Sequence, residues 1–411
     1  MNKYIVTIVS IVAAMFAKAD FDGNFNKAIE SVALSGGGKV VIPAGEWSSN
    51  GPIRLLNNVE LHLEEGAVIV FSDDPANYLP PVRTSWEGIP CYNYSPLVYA
   101  FGCTNVSITG KGTFAPKMDF WKKWFSRPKS HMDATEFLYY AMSTNMPVVA
   151  RDITKLAGSN MRPHLMQFNN CKNILLEDFK IRSSPFWCVH LLESEDIVVR
   201  GIDVYAHGHN NDGIDIETCR NVLVENCRFD QGDDAVVIKS GRNQDAWRIG
   251  KCTENVEIRN CEVVDGHVLL GIGSEMAGGV RNVYMHDCKM SGEVRNVFYM
   301  KTNERRGGFI ENITMKDCVV EAKGKKPPKG VVCIETDVLY QWARLPTFEV
   351  KVTPIRNIVA ENVHVDRAEH LLYLSGDKRD PIDGVTLKNV TCDEVSGERV
   401  VIKNAKNVSI Y

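Results

Sequence analysis

The sequence predicts an all-β protein, built as a parallel β-helix with a capping helix at its start. Three observations support this fold class. A short unit recurs along the chain, for example CRNVLVENCRF from Cys219 and VRNVYMHDCKM from Val280. Each unit alternates apolar and polar residues with the period of a strand, not of a helix. One helical pattern precedes the units, where the open end of a stack of coils needs a cover.

The repeated unit begins with Asn, continues with Val or Ile, and ends near a second Asn or Asp. A single coil cannot bury its own apolar face, so stacked neighbours build one continuous core. Asparagine tolerates the left-handed backbone of a turn, and its amide can bond the equivalent residue one coil away. We therefore expect a ladder of stacked side chains, formed by Asn173, Asp196, Asn221, Asn255, Asn282, Asn312, Asn357 and Asn407.

The chain has 12 cysteines, and four of them occupy the same place in successive units: Cys227, Cys261, Cys288 and Cys318. Equivalent positions of a β-helix stack on one another. These thiols are therefore expected to form an internal column of small apolar groups rather than disulfides. Cys91 and Cys103 lie outside the column, and the pattern assigns them no role.

Two segments depart from the repeat. Phe25, Ala28, Ile29 and Val32 share one face of a helix, and three glycines at 36–38 end it, which predicts the capping helix. Residues 111–165 carry few repeat anchors and are interpreted as an insertion that walls a cleft on one face. No low-complexity linker divides the chain, so residues 20–411 are predicted to form one domain.

Residues 1–19 have the pattern of a signal peptide. Lys3 precedes an apolar stretch over residues 4–16, which is too short to span a bilayer comfortably. Ala17–Ala19 fits the small-x-small pattern of a cleavage site. Cleavage there would export the protein to the periplasm or outside the cell without an integral membrane segment, whereas an uncleaved anchor is the alternative. The net charge of −4 indicates no nucleic acid partner.

Acidic residues recur at the spacing of the coils. Asp212 and the pair Asp233–Asp234 are about one coil apart, and His267 and Lys301 follow on later coils. Paired carboxyls suit glycoside hydrolysis, in which one donates a proton and another activates water. Crowding of like charges raises the pKa of one of them. Alone, each residue has an ordinary structural interpretation, and Asp215 is expected to bond the backbone of its turn.

The motifs at these positions resemble those of the family 28 glycoside hydrolases, the polygalacturonase family. NND at 210–212 is similar to the family's Asn-Thr-Asp, and GDD at 232–234 to its Asp-Asp motif. GHV at 266–268 resembles Gly-His-Gly, and YMK at 299–301 stands where Arg-Ile-Lys occurs. Further stretches, among them RTSWEG, KSGRN and GSEMAGG, resemble the bacterial branch, whose members often cleave from chain ends.

The resemblance implies a right-handed parallel β-helix and a hydrolase of pectic polysaccharides that inverts the anomeric centre. Asp233 would be the general acid, Asp212 and Asp234 would activate water, and His267 would tune the acid. An inverting mechanism implies carboxyls spaced widely enough to admit that water. Neither a metal nor another cofactor is expected. Substrate contacts are predicted at Lys301, Asn210, Arg242, Asn243, Tyr299 and Arg306.

Two departures from the family pattern leave the substrate open. Val268 replaces a glycine, and Tyr299 replaces an arginine that would hold a uronate carboxylate better. The substrate is therefore a galacturonan, or a branched or rhamnose-containing pectin. Two other classes of protein also fit a β-helix. A calcium-dependent lyase would use the acidic run to bind the metal, and a carbohydrate-binding β-helix would need no aligned carboxylates.

Overall fold

The computed structural model describes residues 17–19, 21–339 and 349–411. Nearly all the regular structure in them is strand, with three α-helices, α1 Phe25–Leu34, α2 Lys129–Ser143 and α3 Asn243–Ile249. The first strands in chain order are β1 Ala17–Ala19, β2 Gly38–Ile42, β3 Gly45–Ser49, β4 Ile53–Arg54, β5 Val59–Leu63, β6 Ala67–Phe71, β7 Val82–Trp86, β8 Ile89–Asn93, β9 Val98–Phe101, β10 Thr104–Gly110, β11 Thr113–Pro116, β12 Met166–Asn169, β13 Lys172–Glu177, β14 Lys180–Arg182, β15 Val189–Leu192, β16 Glu195–Arg200 and β17 Asp203–Ala206.

The later strands continue the same order. They are β18 Ile214–Glu217, β19 Arg220–Glu225, β20 Arg228–Gln231, β21 Val236–Lys239, β22 Thr253–Arg259, β23 Glu262–Asp265, β24 Val268–Ile272, β25 Val280–His286, β26 Lys289–Gly292, β27 Asn296–Lys301, β28 Ile310–Ala322, β29 Gly330–Glu335, β30 Ile355–Ala368, β31 His370–Ser375, β32 Ile382–Val395, β33 Val400–Lys403 and β34 Ala405–Ile410. Short 3-10 turns occur at Pro75–Tyr78, Trp121–Phe125, Val148–Ala150 and Ile153–Lys155.

These strands form three parallel columns, which confirms the predicted parallel β-helix. One column, here called sheet B, runs β4, β9, β12, β15, β18, β21, β24, β27, β29, β31 and β33. The other two columns belong to one 21-stranded sheet and merge where β25 and β26 both pair with the long strand β28. Only the hairpin of β7 and β8 is antiparallel among the paired strands described.

The alternation along each strand sends apolar side chains inward and leaves the others outside. In β18, Ile214 and Ile216 belong to the continuous core, so Asp215 and Glu217 lie on the outer face of sheet B. The same alternation repeats in every coil of sheet B. It places the polar residues of successive coils in rows along one outer face.

The asparagine ladder is confirmed. Seven side-chain hydrogen bonds of 2.8–3.1 Å link equivalent residues of neighbouring coils, from Asn58 to Asn357. Each of these residues has a left-handed backbone, for example φ 56° at Asn282. Asp196 substitutes in the ladder and accepts from Asn221. The terminal anchor differs, because Asn407 donates to Asp383.

The cysteine column is also confirmed. Cys227, Cys261, Cys288 and Cys318 are all buried in the continuous core, at equivalent places in successive coils. All twelve cysteines are free thiols. Cys103 lies against Cys171, so it too is stacked on an equivalent position, whereas Cys91 is buried beneath the insertion.

The predicted cap is present as helix α1. Its buried residues are the four that the sequence singled out, and Asn24 caps its first turn. The insertion is shorter than predicted, because Thr113–Pro116 pairs with β6 and β14 as part of the β-helix. The irregular segment therefore spans 117–165 and contains α2.

Most of the predicted signal peptide lies outside the described residues. Within it, only Ala17–Ala19 is described, as a strand that pairs with β2. Export therefore stays a prediction. In the described part of the chain, no helix has the length and apolarity needed to cross a membrane.

Replacing one ladder residue tests the role of the asparagines. Asn282→Ala removes two ladder bonds and replaces asparagine, which tolerates the left-handed backbone, with alanine, which disfavours it, so the free energy of unfolding should fall by about 2 kcal/mol. Asn282→Asp keeps the acceptor, as Asp196 does, and should lose about 1 kcal/mol or less. Urea unfolding measures both. Equal losses in the two variants would contradict this account of the ladder.

Candidate active site

Three successive coils bring the predicted catalytic residues together in the turns that lead into sheet B. Asp212 lies just before β18, Asp233 and Asp234 lie between β20 and β21, and His267 lies between β23 and β24. These turns stack because their flanking strands pair in parallel, with one irregularity of the register between Phe229 and Asp230. Lys301 ends β27 and reaches back across the sheet. The sequence therefore predicted the juxtaposition of these five residues correctly.

Two pairs connect the acidic groups to basic ones. His267 Nδ1 lies 2.9 Å from Asp233 Oδ1, and Lys301 Nζ lies 3.2 Å from Asp234 Oδ2. The side chain of Asp233 is 27% exposed, whereas that of Asp234 is 4% exposed. Asp233 is therefore the carboxyl that a bound molecule reaches most easily, and Asp234 is held beneath it.

The carboxyl groups of Asp233 and Asp234 lie close to each other. Asp233, Asp234 and His267 each offer a ligand atom within 4.8 Å of the others. Inverting glycosidases usually hold their two carboxyls roughly 6.5–9.5 Å apart, so the wide gap implied by the family resemblance is not found between these two residues.

Asp212 is buried, and its own pKa is raised. Burial raises the pKa of Asp212 well above its usual range, and the charges of Asp215 and Asp233 raise it further. Burial also raises the pKa of Asp233, but the hydrogen bond from His267 and the charges of His267 and Lys301 outweigh it, so the net shift is downward. Of these two carboxyls, the one with the raised pKa is therefore Asp212 and not Asp233, the proposed acid.

A buried ionic network underlies the site on the outer face of sheet B. Lys239 Nζ lies 3.0 Å from Glu275, 3.6 Å from Asp215 and 4.7 Å from the ring of Trp187. Both carboxyl oxygens of Asp215 lack a hydrogen bond, and burial raises its pKa strongly. The expectation that Asp215 bonds the backbone of a turn is therefore wrong, because Asp215 lies within β18 and faces Lys239.

Arg162 fixes the loop that carries Asp212. Its guanidinium donates to the carbonyls of Pro185 and His209, at 2.9 and 2.5 Å, and to Asn210 Oδ1 at 3.1 Å. It lies between the rings of Phe125 and Phe186. Asn210, a predicted substrate contact, is thus held by a residue at the end of the insertion. Sequence reasoning missed Arg162, because nothing near it in the chain belongs to a motif.

Three other predicted substrate contacts are buried and bonded to protein groups. Arg242 donates to the Glu87 carbonyl at 2.8 Å and to Glu275 at 2.6 Å. Arg306 donates to the Ser274 carbonyl and to Asn243 Oδ1, both at 2.6 Å. The side chains of Arg242, Asn243 and Arg306 would have to break these bonds to meet a sugar, so the structure gives them a role in holding loops.

Tyr299 lies on the outer face next to the site. Its hydroxyl donates to Glu335 Oε2 at 3.0 Å, and Lys301 Nζ lies 5.5 Å from its ring centre. Tyr299 is buried, with 7% of its surface exposed, so a bound sugar could meet only the edge of its ring. The sequence did not single out Glu335, since only the coil register brings it beside Tyr299.

Two groups of acidic and histidine side chains lie close enough together to bind a metal ion. Asp233, Asp234 and His267 form one such group, and His207, Asp230 and Asp265 form another at the ends of the preceding strands. In the first group, the ammonium of Lys301 beside Asp234 opposes a metal ion electrostatically. The absence of a metal requirement stays a prediction.

The insertion covers one end of the cleft. Helix α2, the β7–β8 hairpin and the turn before β15 share a second hydrophobic cluster that includes Trp86, Leu138, Phe186 and Trp187. The hairpin also bonds the outer face of sheet B, where Gln167 of β12 donates to Thr84 at 2.8 Å. Sheet B is therefore covered on the N-terminal side of the aspartates.

Comparisons with known proteins identify the family of this chain. The family model Glycosyl hydrolases family 28 matches residues 103–410, about three quarters of the chain. The chain is a family 28 glycosyl hydrolase. It is 26% identical to a probable polygalacturonase of Vitis vinifera over 87% of this chain and 67% of that protein. It is 26% identical to the exo-poly-alpha-D-galacturonosidase of Dickeya chrysanthemi, but spans 45% of that protein's length.

Solved structures of this glycosyl hydrolase family have the same fold. The exopolygalacturonase of Thermotoga maritima superposes with a TM-score of 0.83 at 35% identity, over 94% of this chain and 87% of that one. The polygalacturonase of Erwinia carotovora gives 0.68 at 21% identity, which bears on fold alone. The likeness confirms the right-handed β-helix predicted from the sequence. The protein is thus a glycoside hydrolase of the polygalacturonase family.

The buried Glu217 beneath the site gives a pH-dependent test. Its Oε2 accepts a 2.8 Å hydrogen bond from His190, and burial raises the pKa of Glu217 to about 8. Its unfolded-state pKa is lower, so its contribution to stability is complete at acid pH and is lost as pH rises towards 8. Glu217→Gln keeps the hydrogen bond and should remove this loss, on the order of 4 kcal/mol between pH 4 and pH 8.

Unfolding free energies of the wild type and Glu217→Gln across that pH range measure the effect. Glu262→Gln, at an exposed glutamate of β23, is the control and should follow the wild type. Parallel pH profiles for the wild type and Glu217→Gln would contradict a protonated Glu217 in the folded protein.

Proposed function

We propose that this family 28 hydrolase cleaves galacturonide linkages in pectic polysaccharides and releases sugars from a chain end. The observation that carries the proposal is the pairing of Asp233 with His267 and of Asp234 with Lys301 in one cluster beside the buried Asp212. It supplies an acid, a base and a cation for an acidic sugar. The names of the polygalacturonase relatives support the choice of substrate.

Asp233 acts as the general acid. It is the most exposed carboxyl of the cluster, so the glycosidic oxygen can reach it. The hydrogen bond with His267 lowers the pKa of Asp233 in the uncovered site, so this carboxyl gains its proton when the substrate binds. A sugar that covers Asp233 removes water and disfavours the charged carboxylate, which raises its pKa and lets it take up a proton from the solvent. The carboxyl then donates this proton to the leaving oxygen.

Asp234 acts as the base, with Asp212 beside it. A water bonded to Asp234 attacks the anomeric carbon, and its proton passes to that carboxylate as the bond to the leaving oxygen breaks. Asp212, which is buried beside these two aspartates, activates the water together with Asp234. Inversion is proposed from the family assignment, since the short gap between Asp233 and Asp234 does not argue for it.

The covered end of sheet B favours cleavage from a chain end. The hairpin and α2 occupy the outer face up to the turns of the aspartates, so a chain that enters the cleft stops there. The relatives named as exopolygalacturonases agree with this proposal. Export through the predicted signal peptide would place the enzyme where pectic polymers occur.

Replacing the proposed acid tests the mechanism. Asp233→Asn keeps the shape of the side chain but has no proton to give, so kcat should fall about 10³-fold while the unfolding midpoint is retained. Asp230→Asn lies three residues upstream and contacts His207, outside the cluster, and serves as the control. Activity of Asp233→Asn within tenfold of the wild type would overturn the assignment of the acid.

Product analysis tests the reaction and its mode. Polygalacturonate and rhamnogalacturonan are digested with and without a chelator, and the products are separated by chromatography. Saturated galacturonate monomer should accumulate from at least one polymer and should be unaffected by the chelator. A ladder of mixed oligomers would contradict end cleavage, and unsaturated products that require calcium would indicate a lyase instead.

A further inference from the structure

The outer face of sheet B continues past the active site on the side away from the insertion. Tyr299, Cys333 and Tyr373 are in register on β27, β29 and β31. The next row on the same face holds Lys301, Glu335 and Ser375. Neighbouring strands lie about 4.8 Å apart, comparable with the width of a pyranose ring. A glycan that lies across these strands therefore meets a new strand with roughly each sugar.

Glu335 is fixed in the middle of this face. Its Oε2 accepts a hydrogen bond from the Tyr299 hydroxyl at 3.0 Å, and its Oε1 lies 2.5 Å from Lys329 Nζ. Lys329 in turn lies 4.1 Å from the ring centre of Tyr373. The side chain of Glu335 is 15% exposed and that of Lys329 is 35% exposed. A carboxylate is thus held by Tyr299 and by a lysine that lies over Tyr373, on the strand next to Lys301.

The charged groups on this face form two ion pairs. Asp234 pairs with Lys301 on the catalytic side, and Glu335 pairs with Lys329 on the far side. A uronate over Tyr299 would bring its carboxylate against Glu335 and would compete with Glu335 for the ammonium of Lys329, and both effects disfavour binding. A neutral sugar would instead offer hydroxyls to the carboxylate oxygens and its apolar face to a tyrosine ring.

We propose that Glu335 is a specificity-determining residue, which makes the subsite over Tyr299 and Tyr373 select a neutral sugar. The substrate class is then a terminal galacturonate joined to a neutral sugar, with the galacturonate on the covered side. This inference rests on the proposed function and narrows its substrate. Tyr299 contributes through its ring and by orienting Glu335.

The test compares two oligosaccharides of equal length that end in galacturonate. In one the next sugar is galacturonate, and in the other it is neutral. The wild type should show a kcat/KM at least about 10-fold higher for the neutral-linked substrate. Glu335→Gln keeps the size and removes the charge, so kcat/KM for the galacturonate-linked substrate should rise about 5-fold or more.

Glu361→Gln is the matched control, because Glu361 also pairs with lysines, Lys316 and Lys388, but on another column of strands. It should leave the selectivity unchanged. A selectivity ratio that stays within about twofold of the wild type in Glu335→Gln would overturn the inference. So would a wild type that prefers the galacturonate-linked substrate.

A second measurement needs no variant. Added salt screens the repulsion between Glu335 and a uronate, so it should raise kcat/KM for the galacturonate-linked substrate relative to the neutral-linked one. An unchanged or opposite salt response would count against Glu335. If the enzyme hydrolyses both substrates equally well, the role of Glu335 is overturned and the proposed function stands. If it hydrolyses neither substrate, the proposed function is overturned as well.

Discussion

The parallel stacking of coils in register is the constraint on which the rest of the structure depends. It brings residues that are a full coil apart in the chain into direct contact, as in the hydrogen bonds from Asn255 to Asn312. The same register stacks the turns of Asp212, Asp233 and His267 into one cluster. A shift of one residue in the pairing would point the outer side chains of sheet B into the core and separate the residues of the site. The ladder and the active site are therefore two results of one register.

Burial divides the charges of the site between two levels. On the lower level Glu275 balances the buried cations Lys239 and Arg242, while burial keeps a proton on Glu217. On the upper level Asp233 is more exposed and lies within hydrogen-bond distance of His267. The lower level excludes water and holds the geometry, and the upper level meets the sugar. The folded protein thus tolerates this cluster of acidic residues because most of the buried carboxyls are neutral or paired with cations.

Much of the fold could be predicted because its signals are local and periodic. The strand alternation, the asparagine anchors and the helical spacing of Phe25 to Val32 each lie within one short window. The catalytic cluster followed from the coil length. Sequence reasoning failed where contacts depend on side-chain direction and on distant segments. Arg242 and Arg306 follow motif positions but turn into the protein, and Arg162 and Glu335 reach the site from segments without a motif.

In the proposed mechanism, one carboxyl activates water while another protonates the leaving oxygen. The stereochemistry of hydrolysis is the most direct test of this mechanism. Proton NMR spectra recorded during rapid turnover show the anomeric form of the product before it equilibrates. The account predicts that the first product has the configuration opposite to that of the cleaved linkage. A first product that retains the configuration would indicate a covalent intermediate, in keeping with the short gap between Asp233 and Asp234, and would contradict the account.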